Sequence, residues 1–99
     1  MTLKVTLTAE AEADLDQIAD YIGEHSAHTA LTHVRELREK CYRLADAPQG
    51  YPLLTDFEHS GIRKRPVGRY LILYRVNHSI VVIRILHAAR DYESLLFPK

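Results

Sequence analysis

The sequence predicts an α+β protein in which a helical hairpin covers one face of a small antiparallel sheet, in the order β-α-α-β-β-β with a short C-terminal tail or helix. Apolar and polar residues alternate at the start, apolar residues then recur at helical spacing through two segments, and strand-like alternation returns after residue 61. Ninety-nine residues suffice for one core, so we expect a single domain over residues 1–99.

The first strand and the first helix lie between residues 3 and 24. The apolar residues that alternate with polar ones in the strand are Leu3, Val5 and Leu7. Thr8 then has the side chain of a helix N-cap, and the carboxylates that follow it favour the positive end of a helix dipole. Apolar residues continue at helical spacing, so helix 1 is expected to end at about Glu24.

A second helix follows a short connection. Apolar residues recur at spacings of four and three from Ala30 to Leu44. Pro48 and Gly50 are expected to end this helix, because both residues disfavour its continuation. The segment 48–61 has two prolines, two glycines and no periodicity, and it is therefore expected to be a loop that crosses to the sheet.

Three antiparallel strands complete the predicted sheet. Their expected ranges are residues 62–65, 69–76 and 80–87. Asn77 and His78 are expected to form a two-residue turn between the last two strands. Pro66 to Gly68 are expected to form a three-residue loop, because this choice buries Ile62 rather than two arginines. A two-residue loop would reverse that assignment.

The turn at Asn77 and His78 predicts which residues share a sheet face, because paired residues point to the same side. The face expected to pack on the helices contains Tyr70, Ile72, Tyr74, Val81, Ile83, Ile85 and His87. The opposite face, here called the arginine face, contains Arg69, Leu71, Leu73, Arg75, Ile80, Val82, Arg84 and Leu86. With a three-residue loop, Arg63 and Arg65 join it. Such a mixed surface is expected to be covered by the C-terminal segment 91–97, by another chain, or by both.

The net charge is formally zero, but the charge is unevenly distributed. Residues 1–50 have five Lys and Arg against nine Asp and Glu, and residues 51–99 have eight against four, so the halves carry −4 and +4. The basic C-terminal half suits an acidic partner, either nucleic acid or an acidic polypeptide. Charges spread over a solvated surface are an equally good interpretation of the balance alone.

Several classes of protein and site are not expected. A single cysteine excludes an internal disulfide, and the start of the sequence lacks the pattern of a secretory signal. The apolar runs are shorter than the roughly 20 residues of a membrane helix, so we expect a cytoplasmic protein without membrane contact. His25, His28 and His33 do not share one helical face, and Cys41 lies on an apolar stripe. We therefore expect no metal and no cofactor.

Five segments of this chain are similar to a known family. They are EADLDQIADYI at 12–22, ADAP at 45–48, GIR at 61–63, RYLILYRV at 69–76 and IRILHAARD at 83–91. In these segments the chain resembles the ParE branch of the RelE/ParE toxin superfamily, over nearly its whole length and with the same order of elements. The resemblance implies a toxin of a bacterial type II toxin-antitoxin system.

The resemblance also implies partners. The antitoxin would be a ParD-like protein with a ribbon-helix-helix DNA-binding head and a C-terminal tail that wraps the toxin, so operator DNA would be contacted only through the antitoxin. ParE-type toxins inhibit DNA gyrase by protein-protein binding and catalyse no reaction. RelE-type relatives share the fold and instead cleave mRNA in the ribosomal A site.

Two sets of contact residues are expected from the arginine face and the resemblance together. The antitoxin is expected to bind Arg69, Leu71, Leu73, Arg75, Ile80, Val82, Arg84 and Leu86. Gyrase is expected to bind Arg63, Lys64, Arg65, His87, Arg90, Asp91 and Tyr92. Asp91 is also a candidate N-cap for a C-terminal helix.

A nuclease would need a proton acceptor, a proton donor and cations around the phosphate. Cations are plentiful, but the candidates for proton transfer are only His87 and Tyr92, and the chain has Leu95, Leu96 and Phe97 where the RelE pattern has a tyrosine. We therefore expect no catalytic residues and a gyrase inhibitor. The alternatives are a ribosome-dependent mRNA endonuclease of RelE type and a non-toxic binding module that partners a DNA-binding protein.

Overall fold

The computed structural model describes residues 2–98 and has the predicted α+β architecture. Its elements are β1 (Val5–Leu7), α1 (Ala9–Gly23), α2 (Ala27–Tyr42), β2 (Ile62–Val67), β3 (Tyr70–Val76), β4 (Ile80–His87) and α3 (Tyr92–Leu96). Short 3-10 turns at Arg43–Asp46 and Glu58–Ser60 interrupt the long connection between α2 and β2. The predicted order of elements is confirmed, with a short helix at the C-terminal end.

Both long helices begin at side-chain caps. The hydroxyl of Thr8 accepts a hydrogen bond from the Ala11 N–H at 3.0 Å, as the sequence predicts for α1. The hydroxyl of Ser26 accepts one from the Thr29 N–H at 3.2 Å. Because Ser26 is the cap, α2 begins earlier than the apolar pattern indicates, with a polar first turn.

The sheet has the strand order β1-β4-β3-β2 and is mixed. The three C-terminal strands are antiparallel as predicted, whereas β1 pairs in parallel with β4, Val5 opposite Ile80 and Leu7 opposite Val82. The Thr8 N–H continues this pairing by donating to the Val82 carbonyl at 3.0 Å. The first strand therefore adds to the far edge of the meander and leads directly into α1.

The loop between β2 and β3 has two residues, not the three that we expected. Val67 pairs with Tyr70, and Gly68 has a φ of +57°, a value that glycine adopts without the strain of a side chain. This register places Arg63 opposite Tyr74 and Arg65 opposite Ile72. Both arginines therefore lie on the side of the sheet that faces the helices, which is the alternative assignment that a two-residue loop implied.

The loop between β3 and β4 has three residues, Asn77 to Ser79, instead of two. Ile80 consequently pairs with Val76 and Val82 with Tyr74, one residue away from the predicted register. A β-bulge follows, so that farther along Leu73 lies opposite Arg84 and Leu71 opposite Leu86. The β3 assignments hold, but those for the first half of β4 are reversed.

Two apolar clusters flank the sheet. The first lies under the helices and combines residues of α1, α2, the 3-10 turn that follows α2, and the sheet: Ala11, Leu15, Ile18, Leu37, Cys41, Leu44, Ile72, Tyr74, Ile80, Val82 and Ile85. Val5 and Leu7 of β1 pack against this cluster. The second lies on the opposite face and consists of Leu54, Ile62, Leu71, Leu73 and Leu86, with Phe57, Ile83, Tyr92, Leu96 and Phe97 packed against it. The sheet is therefore covered on both faces.

Candidate functional site

The β-bulge in β4 is held by two side chains near the start of α1. Asp14 accepts two hydrogen bonds from the Arg84 guanidinium, at 2.8 and 2.9 Å, and one from the Ile85 N–H at 2.9 Å. Thr8 donates its hydroxyl to the Ile83 carbonyl at 2.8 Å. The hydrogen bonds that Arg84 donates to Asp14 raise the pKa of Arg84, so the guanidinium stays charged. Arg84 is thus a structural ion-pair partner and not part of an open surface.

The two arginines of β2 bind the long connection to α2. Arg63 donates to the Tyr51 carbonyl at 2.7 Å. Arg65 donates to the Lys40 carbonyl at 3.0 Å, and its guanidinium lies 5.0 Å from the centre of the Tyr51 ring. A guanidinium beside the last carbonyls of α2 complements the negative end of the helix dipole. These contacts stabilise the connection to α2 and occupy both side chains.

Of the remaining arginines in the C-terminal half, one is bonded within the chain and two are not. Arg75 donates to the Ser60 carbonyl at 2.9 Å. Arg69 and Arg90 are exposed, and within residues 2–98 neither side chain makes a hydrogen bond or an ion pair. Asp91, the residue after Arg90, accepts two hydrogen bonds from Ser94 and so caps α3, as predicted. Two guanidinium groups without a bonded partner among the described residues therefore lie at one end of the sheet.

The predicted arginine face does not exist as one surface. Leu71, Leu73 and Leu86 do lie opposite the helices, in the second apolar cluster. Ile80 and Val82 are fully buried under the helices, which corrects their assignment. Val81 and Ile83 were predicted to face the helices. Because the loop before β4 is one residue longer than predicted, both lie on the opposite side, where Ile83 packs on the second cluster.

The second cluster is covered by segments of the same chain. Phe97, after α3, stacks on Phe57 of the long connection with ring centres 4.2 Å apart and planes nearly parallel. Leu96 and Tyr92 pack on the same cluster from α3. This outcome matches one of the alternatives expected for that face, a C-terminal segment folded over the sheet. The leucines beneath are 7% exposed or less, so they offer little surface to another protein.

An open cleft lies between the helical hairpin and the end of the sheet where Arg69 and Arg90 lie. It encloses about 620 Å³. Its lining comes from α1, α2, the loop between β2 and β3, the first residue of β3, the end of β4 and the segment that follows β4: Asp14, Gln17, Ile18, Tyr21, Ile22, His33, Gly68, Arg69, Tyr70, Ile85, Leu86, His87 and Arg90. Its walls are mainly apolar and aromatic, and its cations lie at one end.

Aromatic side chains form one wall of this cleft. The Tyr70 ring makes edge-to-face contacts with His33 of α2 and with His87, both at 5.5 Å between ring centres. Tyr21 of α1 lines the cleft and is 67% exposed. A large aromatic residue that stays this exposed beside an apolar cleft is typical of a binding surface.

The residues predicted to contact gyrase fall into three groups. Arg63, Arg65, Asp91 and Tyr92 already bond or pack within the chain, as described above. The imidazole Nδ1 of His87 accepts from the Ala89 N–H at 3.1 Å, which leaves the rest of the exposed ring open to solvent. Arg90 lies beside it at the cleft, whereas Lys64 lies on β2, on the opposite sheet face from Arg63 and Arg65. Of this set, His87 and Arg90 are the two that line the cleft.

The structure also bears on three other possibilities, which are a reactive cysteine, a metal site and a membrane-spanning helix. Burial raises the pKa of the Cys41 thiol to about 12, so it is not a nucleophilic thiolate at neutral pH. No group of three or more His, Cys, Asp and Glu within residues 2–98 is arranged to hold a metal ion. In the same part of the chain, every helix is too short or too polar to cross a membrane.

The sequence did not indicate the cleft. Gln17, Tyr21 and His33 belong to helices that we expected only to cover the sheet, yet they form one side of it. The one available signal was Tyr21, an aromatic residue outside the apolar stripe of helix 1. Arg69 was assigned to a sheet face, whereas it lies in the two-residue loop at the cleft end.

Comparison with known proteins gives consistent results. Residues 5–92 match the family described as "ParE toxin of type II toxin-antitoxin system, parDE". The chain is 30% identical over 87 residues to Toxin ParE1 of Caulobacter vibrioides, an alignment that covers 86% of this chain and 88% of the relative.

Solved structures show the same fold. A chain of the chromosomal ParDE TA system from P. aeruginosa superposes with a TM-score of 0.75 at 25% identity, over 87% of this chain and 96% of that one. A chain of the toxin-antitoxin complex RelBE2 from Mycobacterium tuberculosis superposes with a TM-score of 0.66 at 22% identity, over 88% of this chain and 99% of that one. The second likeness concerns the fold alone.

Proposed function

The chain belongs to the ParE toxin family of type II toxin-antitoxin systems, and from this premise we propose that it inhibits DNA gyrase in the bacterial cytoplasm until a ParD-like antitoxin binds it. The observation that carries the proposal is the cleft beside the hairpin, which combines an apolar wall with unpaired cations. Apolar surface with charge at its rim is how proteins commonly bind other proteins. Inhibition by binding requires no catalytic group.

We place the antitoxin in the cleft rather than on the sheet face opposite the helices. That face is already filled by Phe57, Leu96 and Phe97 of this chain. The cleft is open, and Tyr21 and Tyr70 on its walls are the kind of aromatic residue that anchors protein interfaces. An antitoxin that binds there reaches operator DNA through its own DNA-binding head, and this toxin contacts the operator only indirectly.

We place the gyrase contact around His87 and Arg90, since these are the exposed, unpaired members of the predicted set that lie together. Because the same residues line the cleft, an antitoxin bound in the cleft would cover them. Neutralisation is then a competition between the antitoxin and gyrase for one end of the toxin.

Supercoiling and DNA-cleavage assays test the proposal. Purified toxin added to gyrase and plasmid DNA should reduce supercoiling and increase cleaved DNA, and preincubation with the antitoxin encoded beside the toxin gene should prevent both effects. Arg90→Gln should weaken inhibition, whereas Arg35→Gln, a change at an exposed arginine of α2 outside the cleft, should not. Normal gyrase activity at a large excess of folded toxin would refute gyrase as the target.

A nuclease remains a second candidate because the cleft contains two imidazoles, His33 and His87, beside Arg69 and Arg90. These are the groups that metal-free RNA cleavage employs. Both imidazoles pack against Tyr70, however, and His87 accepts a backbone hydrogen bond through one nitrogen. Cleavage of mRNA on translating ribosomes that disappears in His33→Gln and His87→Gln would favour this candidate over gyrase inhibition.

A further inference from the structure

Three donor groups lie at the cationic end of the cleft, and no acceptor among residues 2–98 binds their free N–H groups. Arg69 and Arg90 supply two guanidinium groups without partners within residues 2–98. His87 supplies the third: its Nδ1 accepts the Ala89 N–H, so the proton of the neutral ring resides on Nε2, which can donate. The carboxylate of the cleft itself, Asp14, is already bound to Arg84 and the Ile85 N–H.

These donors are positioned by short backbone contacts. The Ala88 N–H donates to the Arg69 carbonyl at 2.8 Å, which ties the loop between β2 and β3 to the end of β4. The Arg90 N–H donates to the His87 carbonyl at 3.0 Å. The backbone that presents the three donors is therefore fixed before any ligand binds, which lowers the entropy lost on binding.

From this arrangement we propose that Arg69, His87 and Arg90 form an oxyanion subsite that binds a side-chain carboxylate of the antitoxin. The subsite rests on the proposed function, since it names the chemistry by which the antitoxin is recognised. A guanidinium pairs with a carboxylate or a phosphate through two parallel hydrogen bonds.

The apolar wall beside the subsite favours the carboxylate of a peptide over the phosphate of a nucleic acid. Ile18, Ile22 and Ile85 continue the cleft away from the cations and offer contacts to apolar side chains. The phosphate backbone of a nucleic acid has no apolar groups to fill such a wall. An amphipathic peptide segment does, with apolar residues along the cleft and an Asp or Glu at the cationic end. The occupant is therefore an acidic amphipathic segment of the antitoxin.

Calorimetric titration of the full-length antitoxin from the adjacent reading frame into the full-length toxin tests the subsite. The variant Arg69→Gln/Arg90→Gln should bind about tenfold more weakly or worse, and its affinity should depend less on salt concentration. The matched control is Arg35→Gln, which removes an exposed arginine outside the cleft and should bind within about twofold of the native chain. Circular dichroism establishes whether each variant is folded. If the double variant does not fold, the single variant Arg90→Gln is titrated in its place.

A double-mutant cycle identifies the carboxylate. Each Asp and Glu of the antitoxin tail is replaced by its amide, and one of them should lose its effect on affinity when the toxin already carries Arg69→Gln/Arg90→Gln. Unchanged binding of the double variant, or no coupled carboxylate, would overturn the subsite and leave the proposed function intact. Failure of the native toxin to bind the antitoxin would refute the proposed neutralisation as well. A double variant that binds the antitoxin normally but no longer acts on gyrase and DNA would reassign the cations to that target.

Discussion

Asp14 ties α1 to β4 through side-chain hydrogen bonds. It is 5% exposed, and all its hydrogen bonds go to the bulge, two from Arg84 and one from the Ile85 N–H. A buried carboxylate is costly unless its charge is paired, and here one guanidinium pairs it. Asp16 of the same helix is exposed, and its side chain makes no hydrogen bond or ion pair within residues 2–98.

Replacement of Asp14 by asparagine should lower the free energy of unfolding by about 3 kcal/mol, because it leaves the Arg84 charge without its partner in a partly buried site. Asparagine still offers an oxygen to the Ile85 N–H, so the change isolates the charge. Urea denaturation measures the effect. Asp16→Asn on the same helix is the control and should change stability by less than about 0.5 kcal/mol. Equal effects of the two changes would show that the ion pair is unimportant.

At the scale of elements, the two hairpin loops decide where the arginines lie. Each loop differs by one residue from the length that we predicted, and because side chains alternate along a strand, one residue moves a whole set to the other face. The two-residue loop at Gly68 and Arg69 directs both β2 arginines to the side of the helices, where Arg65 reaches the C-terminal end of α2 and Arg63 the Tyr51 carbonyl. The three-residue loop before β4 buries Ile80 and Val82 under the helices.

Gly68→Ala tests the loop between β2 and β3. Gly68 has a φ of +57° and open space around the position of a Cβ, so the cost is conformational and should be about 1 kcal/mol of unfolding free energy. Gly23→Ala, at the end of α1, is the matched control. The added methyl group there would meet the Ala30 Cβ at an ordinary 3.8 Å, and the change should be neutral or stabilising. Thermal unfolding of both variants provides the measurement, and a tolerated Gly68→Ala would contradict the loop geometry.

At the scale of the whole molecule, covering both faces of the sheet determines which surface remains for partners. The helices cover one face, and α3 with the long connection covers the other. In the cleft at the edge of the hairpin, apolar and aromatic side chains stay open to solvent beside unpaired cations. Proposals for the antitoxin and for gyrase therefore converge on that end of the toxin.

Two single variants, Leu96→Ala and Leu95→Ala, test whether α3 packs on the second apolar cluster. Leu96 packs on the second apolar cluster, whereas Leu95 is 41% exposed. We expect Leu96→Ala to lower the free energy of unfolding by about 1 to 2 kcal/mol, less than for a fully buried leucine, and Leu95→Ala to change it by less than about 0.5 kcal/mol. Chemical denaturation compares the two neighbours. Similar values for both would mean that α3 does not hold to the sheet.

Sequence pattern predicted the class, the order of elements, both helices, the cap at Thr8 and the cap at Asp91, because caps and apolar periodicity are local properties of the chain. It also indicated that the face of β3 bearing Leu71 and Leu73 needs a cover. The resemblance in five segments pointed to the family that the comparisons establish over residues 5–92.

Tertiary structure alone decided the parallel pairing of β1, the bulge in β4 and the cleft. Each depends on residues far apart in the chain, such as Asp14 with Arg84 or Tyr21 with Arg90, whose distance no local pattern specifies. Loop length belongs to the same group, since the sequence of a short turn allows two lengths and packing selects one. The sequence thus determined the fold class and the order of its helices and strands. The packing of distant segments determined which surface is left to bind a partner.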